Sequence, residues 1–108
     1  MKFFAPTQRQ IKISLHQLIN DLFAVLQPLA LNRNNILHNG VPVGLCFIAE
    51  EHDLAQTLWQ LISNVVLAKK NESIQVQTLV DDHHTLICIN HATNNNIVVR
   101  LSNRLMAL

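Results

Sequence analysis

Asn64 interrupts an otherwise apolar run, LWQLISNVVLAKKN, from Leu58 to Asn71. An asparagine inside a helical stretch lowers helix propensity and carries an amide whose donors and acceptor all want partners. Such a side chain either binds a ligand or occupies the outer side of a packed helix. Gln60 places a second amide one turn earlier, at a spacing that puts the two on one face. Asp81, Asp82, His83 and His84 form the other concentration of ligating residue types. Adjacent residues of a turn rarely converge on one ion, and neither Cys46 nor Cys88 stands at ligand spacing. The expectation there is a polar hairpin tip without a metal. The remaining histidines, His16, His38, His52 and His91, are scattered, and no Ser–His–Asp or Cys–His arrangement has a sequence signature.

The elements that must position Asn64 are legible from periodicity. Gln10 to Ser14 alternates polar and apolar residues and reads as a short strand. Ser14 with Gln17 three residues on forms a capping box, and Leu15, Leu18, Ile19, Leu22, Leu26 and Leu29 give one apolar helical stripe. Pro28 should kink or end that helix, with Leu31 to Asn35 as its exit loop. Two short extended pieces flank HNGVP, where Asn39–Gly40 is a turn signal, and the second piece, LCFIA, reads as a buried strand. A second helix starts near His52 or Asp53 and runs to about Lys69, with Leu54, Leu58, Leu61, Ile62 and Val65 as its core stripe. Trp59 and Val66 widen the stripe, and Lys69 and Lys70 suit the helix C-terminus. At about 100° per residue, Gln60, Asn64 and Leu67 fall outside the apolar arc. Ser73 to Val80 and His84 to Asn90 then form a hairpin, ATNNN a polar loop, and IVVRLSNRLMAL a last strand and tail. The sum is an α+β two-layer sandwich, with two main helices on one face of a mainly antiparallel sheet.

Composition sets the outer bounds. The 108 residues suit one domain with a modest core. Hydrophobic residues make up 49% and charged residues 14%, so part of the surface is expected to be covered by a partner. A net charge of +1 without a basic stripe argues against nucleic acid. No apolar run reaches the length of a membrane span, and the first residues lack the apolar core of a signal peptide. Two isolated cysteines in apolar runs read as reduced, buried thiols, which points to a cytoplasmic protein.

The order of elements, together with KISLHQLINDLFAVLQPLALNRNNILHNGVP and DLAQTLWQLISNVVLAK, resembles the front half of a histidine-kinase-type ATPase domain, a fold shared with gyrase B and Hsp90. The resemblance spans about residues 9 to 91 and is carried best by LAQTLWQLISNV, which follows the family's N-box form RLxQVLxNLLSNAxK. It implies that Asn64 stands where the family's asparagine coordinates the magnesium bridging the ATP phosphates, for which an amide oxygen is a suitable ligand. Gln60 replaces the family's earlier asparagine, and Leu67 the lysine that meets the phosphates. His91 stands where the aspartate of the family's DxGxG motif would accept the adenine amino group, and Thr93 where its first glycine would lie. The only glycines are Gly40 and Gly44, and no second glycine-rich motif or lid segment follows His91. The stretch before Ser14 is not expected to supply a dimerising helix with a phosphoacceptor histidine, and for a phosphotransfer accessory domain, a third reading, His16 is the only helical candidate.

From this resemblance the chain is expected to be a single truncated domain, residues 1–108, that is not an enzyme and needs no cofactor. Its expected role is that of a non-catalytic module in bacterial two-component signalling. It would act by protein–protein interaction, with a second copy of itself or with a signalling protein, and Trp59 and Leu67 would mark the surface. The alternative is an ATP- and magnesium-binding domain of a sensor kinase with an altered site. Asn64 would then hold the metal, and Gln60 and His91 would complete a remnant nucleotide site.

Overall fold

Ser14 turns a strand into a helix. The computed structural model describes residues 11–80, 84–91 and 94–102, and over 47–49, 91 and 94–102 it describes backbone alone. Strand β1 (Ile11–Ser14) runs directly into helix α1 (Leu15–Asn32). Ser14 is extended at φ −81, ψ 114, and its hydroxyl accepts the Gln17 N–H at 3.3 Å. The reciprocal half of the expected capping box is not made. Ser14 is already the last rung of a ladder to Cys46, and the Gln17 side chain instead donates to Asp21 one turn on, at 2.8 Å.

The apolar stripe of α1 buries Leu15, Leu18, Ile19, Phe23, Leu26 and Ala30, while Leu22 and Leu29 pack on its flank. Phe23 and Ala30 thus lie deeper than two of the leucines that periodicity favours. Pro28 does not end the helix, which continues to Asn32. Pro28 and Ala24, whose carbonyl loses its N–H partner, are both exposed, so water can satisfy that oxygen. The helix ends at Arg33, and Asn34 follows at φ 58, a left-handed conformation that asparagine tolerates.

Strand β2 (Ile36–Asn39) and strand β3 (Cys46–Ala49) do not pair with each other. β3 pairs antiparallel with β1 in a two-stranded sheet, and β2 enters the main sheet. The expected turn at Asn39–Gly40 is therefore absent, and Gly40 has no positive φ. The Asn39 carboxamide makes a local turn instead, accepting the Val41 N–H at 3.1 Å and donating to the His16 carbonyl at 2.9 Å and to Asn20 at 2.7 Å. The reversal comes later, where the Leu45 N–H donates to the Pro42 carbonyl at 3.3 Å. The expected burial of LCFIA falls largely on side chains outside the described ones.

Helix α2 (Glu51–Ala68) starts slightly before His52, because the Glu50 carboxylate accepts the Asp53 N–H at 2.8 Å and so caps it. Strands β4 (Ser73–Val80), β5 (His84–His91) and β6 (Asn94–Ser102) complete the main sheet in the order β2-β4-β5-β6. β2 and β4 are parallel, with Leu37 opposite Ile74, and the other two pairs are antiparallel. Asn94 to Asn96, expected as part of a polar loop, belong to β6, because the chain turns straight back along β5 after residues 92–93. The hairpin tip at 81–83 lies outside the described residues.

Ile74 and Val76 on β4 and Ile87 and Ile89 on β5 share one face of the sheet and are fully buried. They join the apolar stripes of α1 and α2 in a single core. Each such side chain contributes about 1.5–3 kcal/mol by leaving water, and this covered face fixes the register of the sheet. The result is the α+β architecture of two helices on one face of a mainly antiparallel sheet.

Candidate functional site

Helix α2 divides sharply into two faces. Leu54, Leu58, Ile62, Val65 and Val66 are buried in the core, and Leu61 is half-buried at the margin. Glu51 and Asp53 in the first turn complement the positive end of the helix. Gln60 and Asn64 are exposed, and Leu67, one turn after Asn64, is 43% exposed. These three residues form one column on the outer side, as the helical period requires. Trp59 keeps 36% of its surface exposed.

The chemistry available along this column is that of two neutral amides and an isobutyl group. No hydrogen bond engages the Asn64 side chain among the described residues. The Gln60 backbone carbonyl accepts the Ser63 hydroxyl at 3.2 Å. An amide oxygen is a competent ligand for a hard cation, but nothing in the column supplies a charge for a phosphate. Among the described residues, no group of three His, Cys, Asp or Glu side chains could hold a metal ion.

The structure brings Gln60 and Asn64 together on this face. The expected strand stops at Asn90, but the backbone of His91 is the last rung of β5, opposite Asn94. Pairing with β6 extends the strand to that position. The His91 side chain and residue 93 lie outside the described part. Gly40, one of the two glycines, serves the fold. Its N–H donates to the Val76 carbonyl at 2.7 Å, and a Cβ at Gly40 would stand 2.8 Å from Gln75 Nε2 and 3.1 Å from that carbonyl. His16, the helical phosphoacceptor candidate, is half-buried, with its Nδ1 donating to the Val41 carbonyl at 2.7 Å. Cys46 is half-buried rather than buried, Cys88 is buried, and both are free thiols.

Periodicity does not reveal the asparagines that hold the helix ends. Asn35, 3% exposed, donates from Nδ2 to the carbonyls of Val66 at 3.1 Å and Lys69 at 3.0 Å, and its Oδ1 accepts the Glu72 N–H at 3.0 Å. It thereby satisfies carbonyls that α2 leaves open at its C-terminus. Next to it, Asn34 donates to the Asn71 side chain at 2.7 Å, and both residues sit at φ 58. The only signal in the sequence is the density of asparagine in LNRNN, which a loop assignment already absorbs.

Comparison with known proteins places this geometry. No family model and no curated protein matches the chain. Solved structures do. The catalytic domain of histidine kinase ThkA superposes with a TM-score of 0.70 at 14% identity, covering 78% of this chain and 58% of that one. A histidine kinase from Burkholderia phymatum STM815 gives 0.65 at 19% identity, covering 77% of this chain and 39% of that one. ThkA in complex with the response regulator protein TrrA gives 0.68 at 15% identity, covering 77% and 25%. The chain therefore has the histidine-kinase-type ATPase fold, and it spans a little over half of the ThkA catalytic domain, 58%.

Proposed function

We propose that this chain is a non-catalytic signalling module, acting by protein–protein interaction on a histidine-kinase-type ATPase fold whose nucleotide site has decayed. The observation that carries this reading is Leu67, 43% exposed in the column with Gln60 and Asn64. It sits where the resemblance calls for a lysine on the phosphates. A leucine there removes a charge-assisted contact and offers apolar surface to water. The direct return of the chain from β5 into β6 after two residues supports the same reading, because it leaves no glycine-rich loop beside His91. Trp59 and Leu67 together supply apolar contact area of the kind that protein interfaces favour. The ThkA complex with TrrA offers a precedent for a protein partner on this fold, and a second copy of this chain is the other candidate.

A second reading, an ATP- and magnesium-binding domain of a sensor kinase with an altered site, is favoured by one observation. Asn64 is exposed and its amide is uncommitted among the described residues. Thermal melting with and without magnesium and ATP separates the two. A ligand at 100 times its Kd stabilises the native state by about 2.7 kcal/mol. The proposed reading predicts an unchanged Tm, whereas a rise that disappears in Asn64→Ala would replace it with the second. Light scattering distinguishes the partners: a concentration-dependent dimer identifies a second copy, and a monomer leaves a signalling protein.

A further inference from the structure

Both helices pack on one face of the main sheet, which leaves the opposite face open. Strand alternation puts Gln75, Gln77 and Leu79 of β4 and Leu86, Cys88 and Asn90 of β5 on that open face, back to back with the buried Ile74, Val76, Ile87 and Ile89. Toward the start of β4 the face is polar. Toward the end of β4 it turns apolar: Leu79, 57% exposed, stands directly opposite the half-buried Leu86, and Cys88 beyond it is buried.

The described part of the chain stops at this same end. Ser102, the last residue of β6, pairs with His84, two residues before Leu86 on β5. From Ser102, Leu79 is then about 10 Å away across two strand spacings and about 7 Å away along the strands. Residues 103–108, NRLMAL, follow Ser102 and lie outside the described part. An extended chain of that length spans at most about 20 Å, enough to turn back and cross both leucines. Composition fits as well. Leu105, Met106, Ala107 and Leu108 are apolar, and the one charged residue, Arg104, is opposite in sign to Asp81 and Asp82 of the β4–β5 connection.

We infer that residues 103–108 fold back across the open face of the sheet and dock on Leu79 and Leu86, with Leu105 and Met106 as the anchors. Length and point of departure select this occupant. The segment leaves the sheet beside the patch, and so short a tether holds it there at an effective concentration of about millimolar, which a free partner must exceed. Docking takes apolar side chains of both parties out of water. It also screens the open face against a second copy of the chain. The surface shares no residue with the outer column of α2, so it stands whether or not that column binds nucleotide.

The test is an ¹⁵N spectrum and a thermal melt of two variants, the full chain carrying Leu105→Asp with Met106→Asp, and a chain ending at Ser102. Both should shift the amides of residues 77–79 and 86–88, leave those of Gln60, Asn64 and Leu67 in place, and lower Tm by about 4–8 °C. Leu79→Asp in the full chain should lower Tm in the same way. Added to the chain ending at Ser102, it should lower Tm by less than about half as much, because residues in contact are not additive. The synthetic peptide NRLMAL should move the shifted amides of the shortened chain back, and NRDDAL should not. If circular dichroism shows that the shortened chain loses helix, the double variant of unaltered length decides. The inference is overturned if the shifts fall elsewhere or are absent, or if Leu79→Asp and the truncation lower Tm additively. It is equally overturned if light scattering shows a dimer of the full chain that Leu79→Asp dissociates, which would give the patch to a second copy.

Discussion

Asn35 and Asn64 carry the same side chain against the same helix, and they differ in everything else. Asn35 is buried, and its amide makes three hydrogen bonds around the α2 C-terminus. Asn64 stands in the exposed middle of α2 with none among the described residues. A buried amide must be satisfied, and once satisfied it fixes its surroundings. An exposed one in mid-helix offers the fold nothing and costs it propensity. The first is explained by the structure it closes. The second has no such role in the fold, and the function proposed above, in which Asn64 is a remnant of an ATP site with Leu67 beside it, would account for it.

The largest effect that frames this contrast is on the buried face of α2. Leu58 is fully buried one to two turns before Asn64, and Leu58→Ala should cost about 2–5 kcal/mol in chemical denaturation. A smaller loss would mean that α2 is not packed as described, and the assignment of Asn64 to the outer face would fail with it. Next is Asn35→Ala. It leaves two helix-terminal carbonyls and an amide N–H without their partner and should cost about 2–4 kcal/mol, lowering Tm by about 10–25 °C. Asn39→Ala removes ties from β2 to α1 but sits in a half-buried site that water can enter, so about 1–2 kcal/mol is expected by the same measurement. Smallest and opposite in sign is Asn64→Ala, which should raise stability by up to about 0.7 kcal/mol through helix propensity alone. A loss of more than 1 kcal/mol there would show that Asn64 holds the fold together after all.

Much of this contrast was visible in the sequence, and the rest was hidden for physical reasons. The 3.6-residue period put Leu58 inward and Gln60, Asn64 and Leu67 outward, because burying a helix in a two-layer fold leaves one side over. The alternation of Ile74 and Val76 gave the covered face of the sheet in the same way. Periodicity is silent about long-range polar contacts. Nothing local to Asn35 announces that carbonyls more than 30 residues away will need its amide. Asn39–Gly40 carries a turn signal, yet the Asn39 side chain bonds to α1 and the chain reverses only between Pro42 and Leu45. Pro28 obeyed its local rule less strictly than expected, since the carbonyl it orphans faces water. Asn94 to Asn96 read as a loop by composition, yet ladder pairing with β5 overrode it.

The central claim is that the fold of a histidine-kinase-type ATPase survives here without its nucleotide chemistry. Isothermal titration calorimetry of the wild-type chain and Asn64→Ala with ATP and magnesium tests it most directly. The account predicts no saturable heat from either protein up to millimolar ATP. Saturable, magnesium-dependent binding to the wild type that weakens about tenfold or more in Asn64→Ala would contradict it and make Asn64 a working ligand.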